Sequence, residues 1–105
     1  MLVVERPTSA IAASGHPLIV ACSQNPVAPV SWTFQHLPDS EAQDIITEGS
    51  VVSGYTERFG ITDSSMLFIY KVHPNDVGFY NCCDANRDVF AHRVTVNGEE
   101  IANIL

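Results

Sequence analysis

Cysteine and histidine side chains are the residues of this 105-residue sequence that could support nucleophilic or metal chemistry. A thiolate beside an imidazole can act as a nucleophile with its base, and both groups are common zinc ligands. No third side chain is spaced to orient such a pair, and no oxyanion-type glycine loop or recognised ligand spacing occurs. We therefore predict no enzyme activity, no metal site and no cofactor. The residues concerned are Cys22, Cys82, Cys83, His16, His36, His73 and His92.

An acidic segment offers a second set of possible metal ligands. Asp39, Glu41 and Asp44 could bind calcium, but we interpret them as a solvated loop. The whole chain has a formal charge of −7. A nucleic acid or an anionic membrane surface requires a basic patch, so the charge excludes both as partners.

The cysteines bear on the cellular compartment. No apolar run approaches the ~20 residues of a membrane-spanning helix, and no secretory signal follows Met1. The sequence is then that of a cytosolic protein or of an excised ectodomain. An odd count of three cysteines leaves one thiol over if the setting is oxidising.

The elements that must position these residues are short strands. Polar and apolar residues alternate in residues 30–35, and Glu48-Gly49 separates two apolar pairs in the manner of a hairpin. Eight or nine short strands with frequent turn signals predict an all-β antiparallel sandwich or barrel. The first predicted strand is an edge strand interrupted at Pro7, over residues 2–4 and 9–13. The other predicted strands are residues 17–23, 30–35, 45–46, 51–52, 55–61, 66–72, 78–83 and 89–96.

Four residues in this pattern have a characteristic spacing. Trp32 follows Cys22 by 10 residues, Cys82 follows Cys22 by 60, and Tyr80 precedes Cys82 by two. The stretch from Asp76 to Cys82 reads Asp-x-Gly-x-Tyr-x-Cys. Over essentially the whole chain this resembles the immunoglobulin superfamily. The resemblance implies an immunoglobulin-like Greek-key sandwich over residues 1–98, with residues 99–105 as a tail or the start of a linker.

The resemblance assigns structural roles to the signature residues. Cys22 and Cys82 would form the disulfide between the sheets, with Trp32 packed on it, Leu67 in the core and Tyr80 in a tyrosine corner. The chain-entropy model gives a loop of this length about 4 kcal/mol. Such a bridge implies an oxidising compartment, so we expect an extracellular domain, secreted or belonging to a cell-surface protein.

The middle of the chain decides the subtype. Residues 44–53 can supply the extra strands of a variable-type domain, and Arg58 resembles the arginine that pairs with Asp76 in such domains. We predict the variable type (V-set), with the intermediate set as the alternative. The last strand lacks the Phe-Gly-x-Gly bulge of antigen-receptor domains. An adhesion or innate immune receptor domain therefore fits better than an antigen receptor.

The expected binding surface lies on the strand that carries Cys82. If Cys82 points into the core, its neighbour Cys83 points outward. Cys83 is then a free thiol, one half of an intermolecular disulfide, or a residue half-buried against a partner. We predict that the exposed C–C′–F–G face and its adjoining loop bind a protein partner. The predicted contact residues are Thr33, Gln35, Phe79, Asn81, Cys83, Asn86 and Arg87.

The function expected from this resemblance is protein recognition. Binding to a second copy of the same chain or to an immune-type ligand is the first form to test. The alternative is a structural spacer domain in a longer ectodomain, with no ligand of its own. The sequence contains no Asn-x-Ser/Thr sequon, so no N-glycan shields either face.

Overall fold

A computed structural model describes residues 8–37 and 39–96 as two packed β-sheets. One sheet has six strands in the order β1-β9-β8-β3-β4-β5, and the other has three in the order β2-β7-β6. The strands are β1 (Thr8–Ala12), β2 (Leu18–Val20), β3 (Ser31–Gln35), β4 (Gln43–Thr47), β5 (Ser50–Val51), β6 (Phe59–Ile61), β7 (Leu67–Ile69), β8 (Gly78–Cys83) and β9 (Val89–Val96).

The architecture is an immunoglobulin-like β-sandwich of the variable type. All strand pairs are antiparallel except β1 and β9, which run parallel. The two extra strands, β4 and β5, extend the large sheet, as the variable type requires. The predicted fold class is confirmed, and so is the hairpin at Glu48-Gly49, where both residues have positive φ (46° and 82°).

The core is formed where the inner faces of the two sheets meet. The Cys22–Cys82 disulfide joins the sheets, with a Cα–Cα distance of 5.5 Å. Trp32 lies directly across from Cys82 in the β3–β8 pairing and is fully buried, as are Leu67 and Tyr80. The predicted pairing of the cysteines is therefore confirmed.

Strand β4 contains a bulge that the sequence pattern does not predict. Trp32 pairs with Ile46 but Thr33 pairs with Asp44, so Ile45 is the extra residue on β4. Neighbouring residues of a regular strand face opposite sides, yet Ile45 and Ile46 are both buried. The bulge thus turns two consecutive isoleucines toward the core.

Three predicted strands are shorter than expected. The segment predicted at 66–72 pairs only over β7. The segment predicted as strand 55–61 is extended only from Phe59, because Arg58 N–H and Phe59 N–H both donate to the Tyr55 carbonyl in turns (3.0 Å each). The segment predicted at 17–23 pairs only over β2. The predicted strand at residues 2–4 and the domain and linker bounds at residues 98 and 99 lie outside the described residues.

Candidate functional site

The outer face of the six-stranded sheet brings the predicted contact residues together. Thr33 and Gln35 alternate outward on β3, beside Asn81 and Phe79 on β8. All four are partly exposed, and so is Cys83, which lies opposite Ser31 at the end of the β3–β8 pairing. The result is two adjacent columns of side chains that mix amide, hydroxyl, aromatic and thiol groups. Below, this surface is called the β3–β8 face.

Two amides on this face are held in place by hydrogen bonds. Asn81 Nδ2 donates to Gln35 Oε1 (3.1 Å), and Gln35 Nε2 donates to the Ser40 carbonyl (2.7 Å). Ser40 in turn is fixed by its own turn, because its hydroxyl bonds both backbone groups of Leu37. The polar centre of the face is therefore ordered without a ligand, which lowers the entropy cost of binding one.

Strands β9 and β1 widen the face with residues that the sequence prediction did not include. Arg93 lies opposite Phe79, and Ala91 lies opposite Asn81. Farther along, Val89 is 65% exposed and Ile11 is 71% exposed. The signal that could have found these β9 residues is the alternation along the strand. Residues 92, 94 and 96 are buried, so the odd-numbered residues face outward.

The loop that follows β8 carries the other two predicted contact residues, Asn86 and Arg87, both exposed. Its anchor is Asp84, a buried carboxylate that the sequence analysis did not single out. Asp84 Oδ1 accepts from the backbone N–H of Asn86 (2.9 Å) and Asp88 (3.2 Å). Asp84 therefore fixes the conformation in which Asn86 and Arg87 are presented.

The same carboxylate ties this loop to the loop between β2 and β3. Asp84 Oδ2 accepts from Val27 N–H (3.3 Å), and Ala85 N–H donates to the Val27 carbonyl (2.8 Å). The β2–β3 loop also contains a cis peptide bond between Ala28 and Pro29. Two loops from different parts of the chain thus form one connected surface at the end of the β3–β8 face.

Cys83 is the one free cysteine of the described chain. Its side chain is partly exposed, and its thiol lies 3.8 Å from the Asp84 carbonyl, a weak contact. Because Cys82 faces the core, its neighbour Cys83 lies on the opposite side of β8, at the β3–β8 face. Cys83 is then an unreactive free thiol, one half of an intermolecular disulfide, or a residue in contact with a partner. Non-reducing electrophoresis would distinguish the intermolecular disulfide from the other two states.

Arg58 and Asp76 form an ion pair at the opposite end of β8. Arg58 Nη2 lies 2.7 Å from Asp76 Oδ2, and the same oxygen accepts from His73 N–H (2.7 Å). The hydrogen bond to Asp76 raises the pKa of Arg58, so the guanidinium is charged throughout the accessible pH range. Tyr80 donates its hydroxyl proton to the Asp76 carbonyl (2.7 Å), and burial raises the pKa of Tyr80 above its ordinary value. These residues are structural.

The histidines are dispersed over the fold. His92 faces the core, where its ring lies 5.6 Å from that of Trp32 and its Nε2 lies 3.1 Å from the Cys22 carbonyl. His36 lies at the other end of the large sheet, with Nδ1 3.2 Å from the Val77 carbonyl. Within residues 8–37 and 39–96, no three His, Cys, Asp or Glu side chains group as metal ligands. No helix in that part of the chain is long and apolar enough to cross a membrane.

No protein-family model matches the chain, and no curated protein sequence matches it. What can be said of function therefore depends on the fold and on the β3–β8 face.

Proposed function

We propose that this chain is an extracellular recognition domain of the immunoglobulin superfamily that binds a protein ligand through the β3–β8 face and the loop at its end. The observation that carries the proposal is the preorganised centre of that face, where Gln35 and Asn81 are bonded to each other beside a partly exposed Phe79. Interface cores are enriched in aromatic residues surrounded by polar groups, and this arrangement has that composition.

The disulfide supports the extracellular location. A bridge that closes 60 residues of chain persists in oxidising compartments and is rare in the cytosol. The charge of −7 supports a protein ligand over a nucleic acid or an anionic membrane. A cell-surface adhesion or immune-type receptor and a secreted binding protein both agree with these features.

The first form of the proposal to test is binding between two copies of the chain. The wild-type domain and the variants Thr33→Arg, Gln35→Arg and Phe79→Arg would be compared by sedimentation velocity and by binding to a panel of cells. A bulky charge at the centre of an interface should weaken binding at least tenfold, about 1.4 kcal/mol. Ile19→Arg is the matched control, since Ile19 is exposed on β2 of the opposite sheet.

The outcomes separate the proposed function from its rival. Equal loss in Ile19→Arg would mean that the substitutions act through folding or charge and not through the β3–β8 face. A wild-type domain that stays monomeric and binds no cell would favour the structural spacer. Binding that all three β3–β8 variants retain would place the contact surface elsewhere.

A further inference from the structure

A cavity of about 520 Å³ opens at the end of the sandwich where β8 begins, away from the β3–β8 face. One wall is the turn after β1, which contains Ser14 and Gly15, and the other wall is the segment that follows β7. Two backbone hydrogen bonds join these walls. Gly15 N–H donates to the Val72 carbonyl (2.7 Å), and Val72 N–H donates to the His16 carbonyl (2.9 Å). Backbone hydrogen bonds therefore hold the two walls of the cavity together.

The side chains that line the cavity are mostly hydrogen-bond donors. Lys71 forms no ion pair or hydrogen bond with any residue in the described part of the chain, and neither does the Ser14 hydroxyl. Arg58 uses Nη2 on Asp76, while its side chain remains 43% exposed at the cavity wall. Asn75 adds a side-chain amide. Residues that carry an ammonium, a guanidinium, a hydroxyl and an amide therefore line one volume.

His73 supplies a further donor because its tautomer is fixed. Its Nδ1 accepts from Asn75 N–H (3.1 Å), so the neutral ring must carry its proton on Nε2. His73 lines the cavity and is exposed. The imidazole can therefore donate to a bound acceptor without first gaining a proton.

The cavity is a local exception to the charge of the chain. Residues 8–37 and 39–96 contain four lysine and arginine side chains, and two of them, Lys71 and Arg58, line this cavity. No aspartate or glutamate is among the described residues that line it. The carboxylate of Asp76, which pairs with Arg58 at the cavity wall, is buried and already accepts from Arg58 and from His73 N–H. An anion in the cavity would meet donors and no exposed negative charge.

We propose that this cavity binds a sulfate or phosphate monoester carried on a sugar. Several oxygens on one atom match the convergent donors, and Arg58 and Lys71 supply the charge-assisted bonds. A water molecule occupies about 30 Å³, so the cavity is several times larger than a bare oxyanion needs and has room for the ring. The charge of −7 on the whole chain disfavours an extended polyanion and selects a single anionic group.

The test is an NMR titration of the folded domain at constant ionic strength. The ligands are N-acetylglucosamine 6-sulfate, glucose 6-phosphate, inorganic sulfate and inorganic phosphate, with sodium chloride as the reference. We expect saturable shifts of the amides of Ser14, Gly15, Lys71 and His73, with a Kd of about 1 mM for a small ester. The two esters show which oxyanion the cavity prefers. Tighter binding of the esters than of the free ions shows that the sugar contributes.

Variants assign the binding to the cavity. Lys71→Gln removes a charge that makes no contact within the described residues, so it should leave folding intact and weaken binding about tenfold. Ser14→Ala should weaken it about threefold. Thr47→Glu is the matched control, since it makes the net charge more negative by the same one unit at an exposed position on β4 and should leave Kd unchanged. Equal shifts with chloride, or an unchanged Kd in Lys71→Gln, would overturn the proposal.

Discussion

Two buried carboxylates stand at the two ends of β8, and they are held in different ways. Asp76 precedes the strand and is 4% exposed, and Asp84 follows it and is 7% exposed. Asp76 accepts from a charged side chain, Arg58, that enters from the start of β6 in the small sheet. Asp84 accepts from three backbone amides, in its own loop and in the β2–β3 loop. One carboxylate joins the sheets, and the other joins the loops.

The difference separates stability from recognition. Breaking the Asp76 contacts loosens the packing of one sheet on the other, which every strand shares. Breaking the Asp84 contacts frees two loops while the sheets keep their disulfide and core. We therefore expect substitutions at Asp76 to lower global stability, and substitutions at Asp84 to act mostly on loop order and ligand binding.

The largest effect is expected for Asp76→Ala. The substitution removes the acceptor of two 2.7 Å hydrogen bonds, one of them charge-assisted, and leaves His73 N–H without its partner. We expect the free energy of unfolding to fall by about 3 kcal/mol. Guanidinium denaturation with an unchanged m-value would measure it. Asp63→Ala, in an exposed turn, is the control, and equal losses in the two variants would show that the buried pair contributes nothing specific.

A smaller effect is expected for Asp84→Ala. Three backbone N–H groups lose their acceptor, but the loops are near solvent and water can replace part of the loss. We expect the free energy of local opening of the two loops to fall by about 2 kcal/mol, with little change in global stability. Hydrogen exchange should speed up at the amides of Val27, Asn86 and Asp88 while the protection of β8 is retained. Asp88→Ala, an exposed acidic residue of the same loop, should change neither.

The comparison also separates what the sequence predicts from what it does not. Asp76 lies within a short motif, and the partner of its side chain, Arg58, is itself a recognisable residue. The bonds of Asp84 go to backbone amides, whose positions depend on loop conformation, so no residue type in the sequence indicates them. The contact Asp84 makes with Val27 also spans 57 residues of chain.

The same reasoning applies to the strands and to the face. Alternation predicted the outward columns of β3 and β8 because both strands are regular. Alternation does not hold at Ile45, because the bulge inserts one residue and so reverses the side of the sheet on which the side chain lies. The predicted start of β6 was also wrong, because local turn bonds to the Tyr55 carbonyl replace the sheet pairing that the sequence predicted from residue 55. The alternation within β9 places Arg93 on the same outer face, because the residues on either side of it, His92 and Val94, are buried.

Tyr80→Phe tests how much the hydrogen bond to the backbone carbonyl of Asp76, as distinct from the bonds to its carboxylate, contributes to stability. The hydroxyl of Tyr80 donates to the Asp76 carbonyl in a buried bond of 2.7 Å. Losing it should cost about 1 kcal/mol, because the Asp76 carbonyl loses its hydrogen-bond donor while the ring still packs. Tyr55→Phe is the matched control, since the Tyr55 hydroxyl bonds Gln43 in an exposed position. A loss in Tyr55→Phe as large as in Tyr80→Phe would contradict this assignment.

An effect whose size depends on pH lies between the two carboxylates, at His92 opposite Tyr80. Burial lowers the pKa of His92 below 6.5, and the hydrogen bond to the Cys22 carbonyl only partly opposes this. As the pH falls through 6.5 the unfolded chain therefore gains its proton first, and folding becomes less favourable. We expect the contribution of His92 to the free energy of unfolding to be fully present above pH 6.5. Below pH 6.5 it should decline, by at most about 1.4 kcal/mol per pH unit, until the pH passes the pKa of His92 in the folded state.

Urea denaturation between pH 5 and 7 should show this slope in the wild type and in His16→Gln, an exposed control, and a shallower slope in His92→Gln. An identical slope in all three would contradict the assignment of this pH dependence to His92.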